Sequence, residues 1–167
     1  MNATPVLRAF ALTLAACVGL LAGAPAHALE PNQPAPELDV KLMNGRTLKA
    51  KDLRGKVVVT MFWATWCPTC RTSLPELQRF YNEKHAKGLE IVALSIDESP
   101  KDVREFVKAK HLTLPVGMRT DPWFDHYGRV AATPTIFITD RQGTVRHRLA
   151  GTHITAEKVE QLVLPLL

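Results

Sequence analysis

A chain of 167 residues with 46% hydrophobic and 22% charged residues has the make-up of one ordinary globular domain, not of a polar disordered chain. Its net charge of +5 comes from scattered bases. There is no Lys/Arg run and no basic stretch interleaved with aromatics, which argues against nucleic acid as a partner.

The first 28 residues differ from the rest. Arg8 is the only charge before Glu30, an apolar run spans residues 9–24, and Pro25 precedes Ala26-His27-Ala28. A positive start, an apolar middle and a small-residue end predict a signal peptide over 1–28, cleaved after Ala28. Residues 29–167 would then be a periplasmic or otherwise exported domain of net charge +4. Two other readings stay open. Residues 9–24 could anchor the chain, although a bilayer needs about 20 apolar residues. Leu14-Ala15-Ala16-Cys17 also fits a lipoprotein site, although the apolar run continues past Cys17 to Leu21.

Residues 29–37 contain Pro31, Pro34 and Pro36 and predict an extended lead-in. Leu38 to Leu42 alternates like a strand, Asn44-Gly45 is a turn signal, and Thr47-Leu48 pairs back to make a hairpin. Asp52 to Gly55 is a loop or a single turn. Lys56 to Trp63 is β-branched and apolar without alternation, as in a strand buried on both faces. After Cys67 the period becomes helical through Leu74, Leu77, Phe80 and Tyr81 to about Ala86, with Pro75 inside and Gly88 as the stop.

A strand follows over 90–96, with Asp97 leaving it. Ser99-Pro100 opens a second helix with Val103, Phe106 and Val107 on one face, and Leu112 to Met118 is extended. Asp121-Pro122 starts a short helix through Tyr127. Thr135 to Thr139 is a strand, Asp140 to Gly143 a turn, and Thr144 to Leu149 an antiparallel return. Thr155 caps a last helix carrying Val159, Leu162 and Val163. The order predicts an α/β domain: a central sheet with a parallel βαβ core, an antiparallel ββ edge and helices on both faces.

With Cys17 removed, only Cys67 and Cys70 remain. Outside the cytosol the pair can be oxidised, but a bridge across so small a loop constrains the unfolded chain little, so a purely structural role is a poor use of it. Structural zinc would need four ligands, and His85, His111, His126, His147 and His153 are dispersed. Copper(I) held by the dithiol with His126 or His147 is an incomplete ligand set.

A redox role has more support. Cys67 falls at a helix start, where free N–H groups and the macrodipole favour a thiolate, and Cys70 lies one turn on. That spacing brings the sulfurs within bonding reach. A thiolate at Cys67 can attack a partner's disulfide, and Cys70 can resolve the mixed disulfide. Pro68 suits the first helical position, where an N–H would have no partner. Trp63 reads as core. Trp66 reads as an exposed aromatic that helps docking, with packing as the other option. Thr69 either hydrogen-bonds near the Cys67 sulfur or simply tolerates the turn.

Lys51 to Val59, Phe62 to Arg71, and Leu74-Pro75-Glu76-Leu77 together resemble the TlpA/ResA/DsbE branch of the thioredoxin superfamily, which is related to the AhpC/TSA proteins. Ala93 to Asp97 and Ala132 to Ile138 match it as well, so the resemblance covers about residues 34–165. It implies a thioredoxin-like fold: a central mixed sheet flanked by helices, with the hairpin at 38–48 as an N-terminal extension. It implies a protein disulfide reductase without cofactor or metal, with Cys67 as nucleophile and Cys70 as resolving thiol. It also implies a cis-proline at Pro134 opposite them, and backbone at Thr133 offered to an incoming strand.

Apocytochrome c would be the substrate, a membrane dithiol transporter of the DsbD/CcdA kind the electron donor, and the protein a monomer. The alternatives are a copper(I) metallochaperone and a dithiol oxidase or isomerase. The chain departs from the pattern in two places. Met61 stands where thioredoxins proper carry a buried Asp, and Ser73 stands where many ResA-like members carry a Glu. Both possible proton acceptors for Cys70 are missing, and Glu76, one turn on, is placed toward solvent. Peroxiredoxins carry a Pro seven and a Thr three residues before their reactive cysteine. Here Thr60 and Ala64 occupy those positions, which leaves a peroxidase as a minor alternative.

Overall fold

The computed structural model describes residues 29–121, 126–128, 130 and 132–167. Residues 1–28, read above as a signal peptide, and most of the short helix expected from Asp121 to Tyr127 lie outside the described residues.

Strand β3 (Val57–Trp63) is buried along its whole length, as its unbroken apolar character predicts. It lies between β4 (Leu89–Ser95), which runs parallel, and β6 (Thr135–Thr139), which runs antiparallel. The five-stranded sheet is completed by β5 (Val116–Met118) beside β4 and β7 (Val145–Ala150) beside β6, in the order β5-β4-β3-β6-β7. Only the last three residues of the extended stretch 112–118 pair as strand.

The N-terminal hairpin is shorter than its alternation suggests: β1 (Val40–Lys41) pairs with β2 (Thr47–Leu48) as a separate two-stranded sheet. It is fastened to the β5 edge by the Met43 N–H, which donates to the Val116 carbonyl at 2.8 Å. That covers part of an otherwise exposed edge. The approach needs Gly117. A Cβ there would lie 2.8 Å from both the Lys41 carbonyl oxygen and Val40 Cγ1.

Three α-helices are described along their whole length. Helix α1 (Pro68–Lys84) runs on into a 3-10 turn at His85–Lys87, and Gly88 ends that turn with φ +95. Pro75 lies inside α1 and leaves the Arg71 carbonyl without its helical donor. Helix α2 (Pro100–Ala109) is capped by Ser99, and helix α3 (Ala156–Val163) by Thr155.

The buried apolar residues of all three helices join one core cluster with Val57, Val59, Met61 and Trp63. The opposite face carries Val58, Phe62, Val92, Leu94 and Phe137, packed against Leu29, Val40 and Tyr127. Among the described residues, then, helices cover one face, and the lead-in and Tyr127 cover the other. Crossovers β3-α1-β4 and β4-α2-β5 step the same way along the sheet, so two right-handed connections put α1 and α2 on one side.

The β6–β7 turn is organised by Asp140, whose carboxylate accepts from the Gln142 N–H at 3.0 Å and the Thr144 N–H at 2.9 Å and pairs with Arg146. Burial pushes its carboxyl up. The backbone donors and the Arg146 guanidinium outweigh that and hold it below the ordinary 3.8. A depressed carboxylate stabilises the fold above its unfolded pKa and loses that contribution as pH falls through the folded value. Asp140→Asn should therefore lower the urea midpoint at neutral pH, with the gap to wild type closing as the pH is taken down into the acid range below 3.8. An equal gap at neutral and at acid pH would show that the carboxylate's charge plays no part.

Candidate active site

β3 ends at Trp63, and the chain turns through Ala64, Thr65 and Trp66 into α1. The turn is closed by the Cys67 N–H, which donates to the Ala64 carbonyl at 3.1 Å. Cys67 is the N-cap of α1, with extended backbone (φ −83, ψ 113), and Pro68 is the first helical residue. Cys67 and Cys70 form a disulfide with a Cα–Cα distance of 5.3 Å. The Cys70 N–H points at Cys67 Sγ at 3.2 Å. On reduction the same N–H and the helix N-terminus favour a thiolate on Cys67. The residues bearing both sulfurs are buried, Cys67 at 3% and Cys70 at 0% exposure, whereas Trp66 beside them is 64% exposed. Trp63 is core, its ring 5.1 Å from that of Phe106. Of the two options for Trp66, packing is thus not the one adopted.

The bond expected of Thr69 near the Cys67 sulfur is not the one it makes: its hydroxyl donates to the Thr152 carbonyl at 3.2 Å. Ser73 Oγ donates to the Ile154 carbonyl at 3.4 Å. Together they stitch the first turns of α1 to the loop before α3. Met61 is fully buried and Glu76 is exposed, so the carboxylates missing from the sequence are not replaced at these positions.

Thr133–Pro134 is a cis peptide. Phe62 is paired with Thr135, so Pro134 stands level with Trp63, at the end of the sheet where the disulfide loop leaves β3. The Pro134 carbonyl accepts from the Gly151 N–H at 3.1 Å. Trp66, Cys67, Pro68, Thr69 and Cys70 therefore share one turn, with Thr133 and Pro134 on the neighbouring strand at the same end. The histidines do not converge: among the described residues no three His, Cys, Asp or Glu side chains form a ligand cluster.

In the sequence Asp97 leaves β4 and ends a stretch that matches the family, with no role of its own assigned. Its carboxylate accepts from the Thr65 N–H at 3.0 Å, from the Thr65 hydroxyl at 2.6 Å and from the Ser95 hydroxyl at 2.6 Å. It holds the loop that delivers Cys67, and we expect it to act as a positioning residue. Asp97→Ala leaves those donors unpartnered and should cost about 1–3 kcal/mol of stability. It should also shift the reduction potential of the disulfide, with Asp97→Asn recovering part of both effects. An unchanged potential in Asp97→Ala would mean that the carboxylate only stabilises the fold.

The AhpC/TSA family model matches residues 31–148. The chain belongs to the AhpC/TSA family. Within it, the chain is TlpA/ResA/DsbE-like and a member of the thioredoxin superfamily. It is 35% identical over 126 residues to the thiol-disulfide oxidoreductase ResA of Bacillus cereus, covering 75% of this chain and 72% of the relative. It is 32% identical over 136 residues to the thioredoxin-like protein YneN of Bacillus subtilis, covering 80% and 78% of the two chains. A DsbE-type thiol:disulfide interchange protein from Chlorobium tepidum superposes with a TM-score of 0.75 at 30% identity, over 83% of this chain and 99% of that one. This AhpC/TSA-family chain is a thiol-disulfide oxidoreductase with a thioredoxin-like fold, and protein disulfides are the substrate class its family implies.

Proposed function

We propose that this protein works outside the cytoplasm, as a monomer, to reduce disulfides in partner proteins. The observation that carries the reading is the Cys67–Cys70 disulfide at the N-cap of α1, beside an exposed Trp66. The Cys67 thiolate attacks one sulfur of the partner's disulfide, and the other partner sulfur leaves as a thiolate. Cys70, losing its proton to water or to the partner, attacks the Cys67 sulfur of the mixed disulfide and releases the second partner thiolate. Two electrons have passed to the partner, and Cys67–Cys70 is oxidised. A membrane dithiol donor of the DsbD/CcdA kind would reduce it again.

Thr133 supports docking: its backbone makes no hydrogen bond among the described residues and lies at the same sheet end as the disulfide. Pro68 and Pro134 shape the turn and the facing loop. The apocytochrome c assignment rests on the Trp-Cys-Pro-Thr-Cys motif and on likeness to DsbE-type proteins. Export rests on the pattern of residues 1–28, with cleavage after Ala28 leaving 29–167 as the working domain. The monomer reading rests on the described surface, whose exposed large hydrophobics are Trp66 and Leu164.

The reduction potential of Cys67–Cys70 tests the direction of exchange. Equilibration against defined thiol–disulfide buffers should give a value below about −230 mV. A value above about −180 mV would reverse the assignment toward oxidation or isomerisation. Absence of a two-electron transition would instead direct attention to copper(I) loading of the dithiol.

A further inference from the structure

Trp66 and the backbone at Thr133 give a partner apolar surface and hydrogen bonds, but neither carries a charge. A charge is held beside them by Arg71. It follows Cys70 directly, and its N–H donates to the Cys67 carbonyl at 3.1 Å, so it stands one helical turn from Cys67 on the same face of α1. Long side chains on a helix lean back toward its N-terminus, and this one does so: Nη1 donates to the Thr65 carbonyl at 3.3 Å. That carbonyl belongs to the peptide that leads into Trp66. The guanidinium therefore lies against the loop that presents the exposed tryptophan and delivers Cys67.

Its surroundings leave its charge unmatched. Its other contact is the ring of Phe106, 6.0 Å away, and among the described residues it makes no ion pair. Asp97, which binds Thr65 from the other side, is taken up by the Thr65 N–H and hydroxyl and by the Ser95 hydroxyl. Glu98 follows it and is exposed, yet it forms no ion pair with Arg71. By contrast, Arg54, Arg79 and Arg146 each hold a carboxylate. Arg71 is exposed and uses one nitrogen, so its Nε–Nη2 edge is free. Two parallel N–H groups of this kind match the two oxygens of a carboxylate.

We propose that Arg71 selects partner disulfides that carry an acidic side chain beside the attacked cysteine, its guanidinium receiving that carboxylate while Cys67 joins the partner's sulfur. This deepens the reading as a protein disulfide oxidoreductase and rests on it. Arginine and tryptophan recur together where interfaces gain most of their affinity. A charge at the rim of such a contact acts on selectivity and rate of encounter. No proton or electron passes through Arg71, and the exchange of sulfur bonds is as described above.

The test uses disulfide-bonded peptides that differ only in Glu, Gln or Lys beside the cysteine, reduced in single turnover by the prereduced protein. Each rate is divided by the rate with dithiothreitol, which removes the effect of the flanking charge on the peptide's own sulfur. The Glu peptide should run about two- to fivefold ahead of the Gln peptide, the worth of an exposed ion pair, and added salt should shrink the lead. Arg71→Gln should bring this ratio to one, Arg71→Lys should keep part of it, and Arg71→Glu should turn the preference to the Lys peptide. A ratio cancels any change in the loop or the sulfur that all peptides feel alike. Lys87→Gln, which removes the same charge beyond the far end of α1, should keep the Glu preference. Equal normalised rates in the unaltered protein, or a Glu preference that survives Arg71→Gln, would overturn this proposal alone. Failure to exchange with any peptide would overturn it together with the reading it rests on.

Discussion

Cys67→Ser should lower the rate of reduction of a partner disulfide by roughly three orders of magnitude or more, because a serine hydroxyl supplies no thiolate at neutral pH. Cys70→Ala should behave differently. It retains the attacking sulfur at the N-cap of α1 but lacks the thiol that frees the partner. A covalent one-to-one adduct should therefore accumulate, visible by non-reducing electrophoresis and released by a small-molecule thiol. The asymmetry between the two variants is the diagnostic result. An adduct formed by Cys67→Ser, or ordinary turnover by Cys70→Ala, would invert or dissolve the assigned roles. The burial difference favours the assignment only slightly, since the two residues are 3% and 0% exposed. Position does more: only Cys67 receives an N–H from the helix terminus in this geometry.

Phe62→Ala should destabilise the fold by about 3–5 kcal/mol in equilibrium urea unfolding. Phe62 is fully buried in the central strand on the face away from the helices. Its ring meets Tyr127 at 5.4 Å and Phe137 at 6.2 Å in edge-on geometry, contacts that add to the area buried. Few neighbours can move in to fill the space, because the lead-in and Tyr127 already cover that face. A loss of less than about 1 kcal/mol would mean that this second core collapses around the gap and contributes little to the fold.

Much of this architecture was legible because its signals are local. Val57 to Trp63 is apolar without a break, Ser99 and Thr155 stand where helices begin, and Gly88 stands where one ends. The disulfide was legible for the same reason: two cysteines one turn apart at a strand-to-helix junction leave little choice of partner. What escaped the sequence depended on segments far apart in the chain. Nothing around Asp97 says that its carboxylate will reach Thr65, because the contact exists only once β3 and β4 lie side by side. Thr69 was read against the neighbouring sulfur, yet its partner, Thr152, sits 83 residues away. That α1 and α2 share one face follows from crossover handedness and direction, which apolar periodicity does not encode.

Pro75 has a mechanical consequence for the chemistry. Because the ring removes one rung of the α1 ladder, the turn that holds both sulfurs is coupled to the rest of the helix less stiffly than an unbroken helix would couple it. Its other tethers include side-chain bonds to the loop before α3, through Thr69 and Ser73, and one from Arg71 to the Thr65 carbonyl. Opening and closing the disulfide can thus be absorbed by a single turn pivoting on hydroxyl contacts. The part of α1 beyond Pro75, with Leu77 and Phe80 in the core, is separated by that missing rung from the bond that is exchanged.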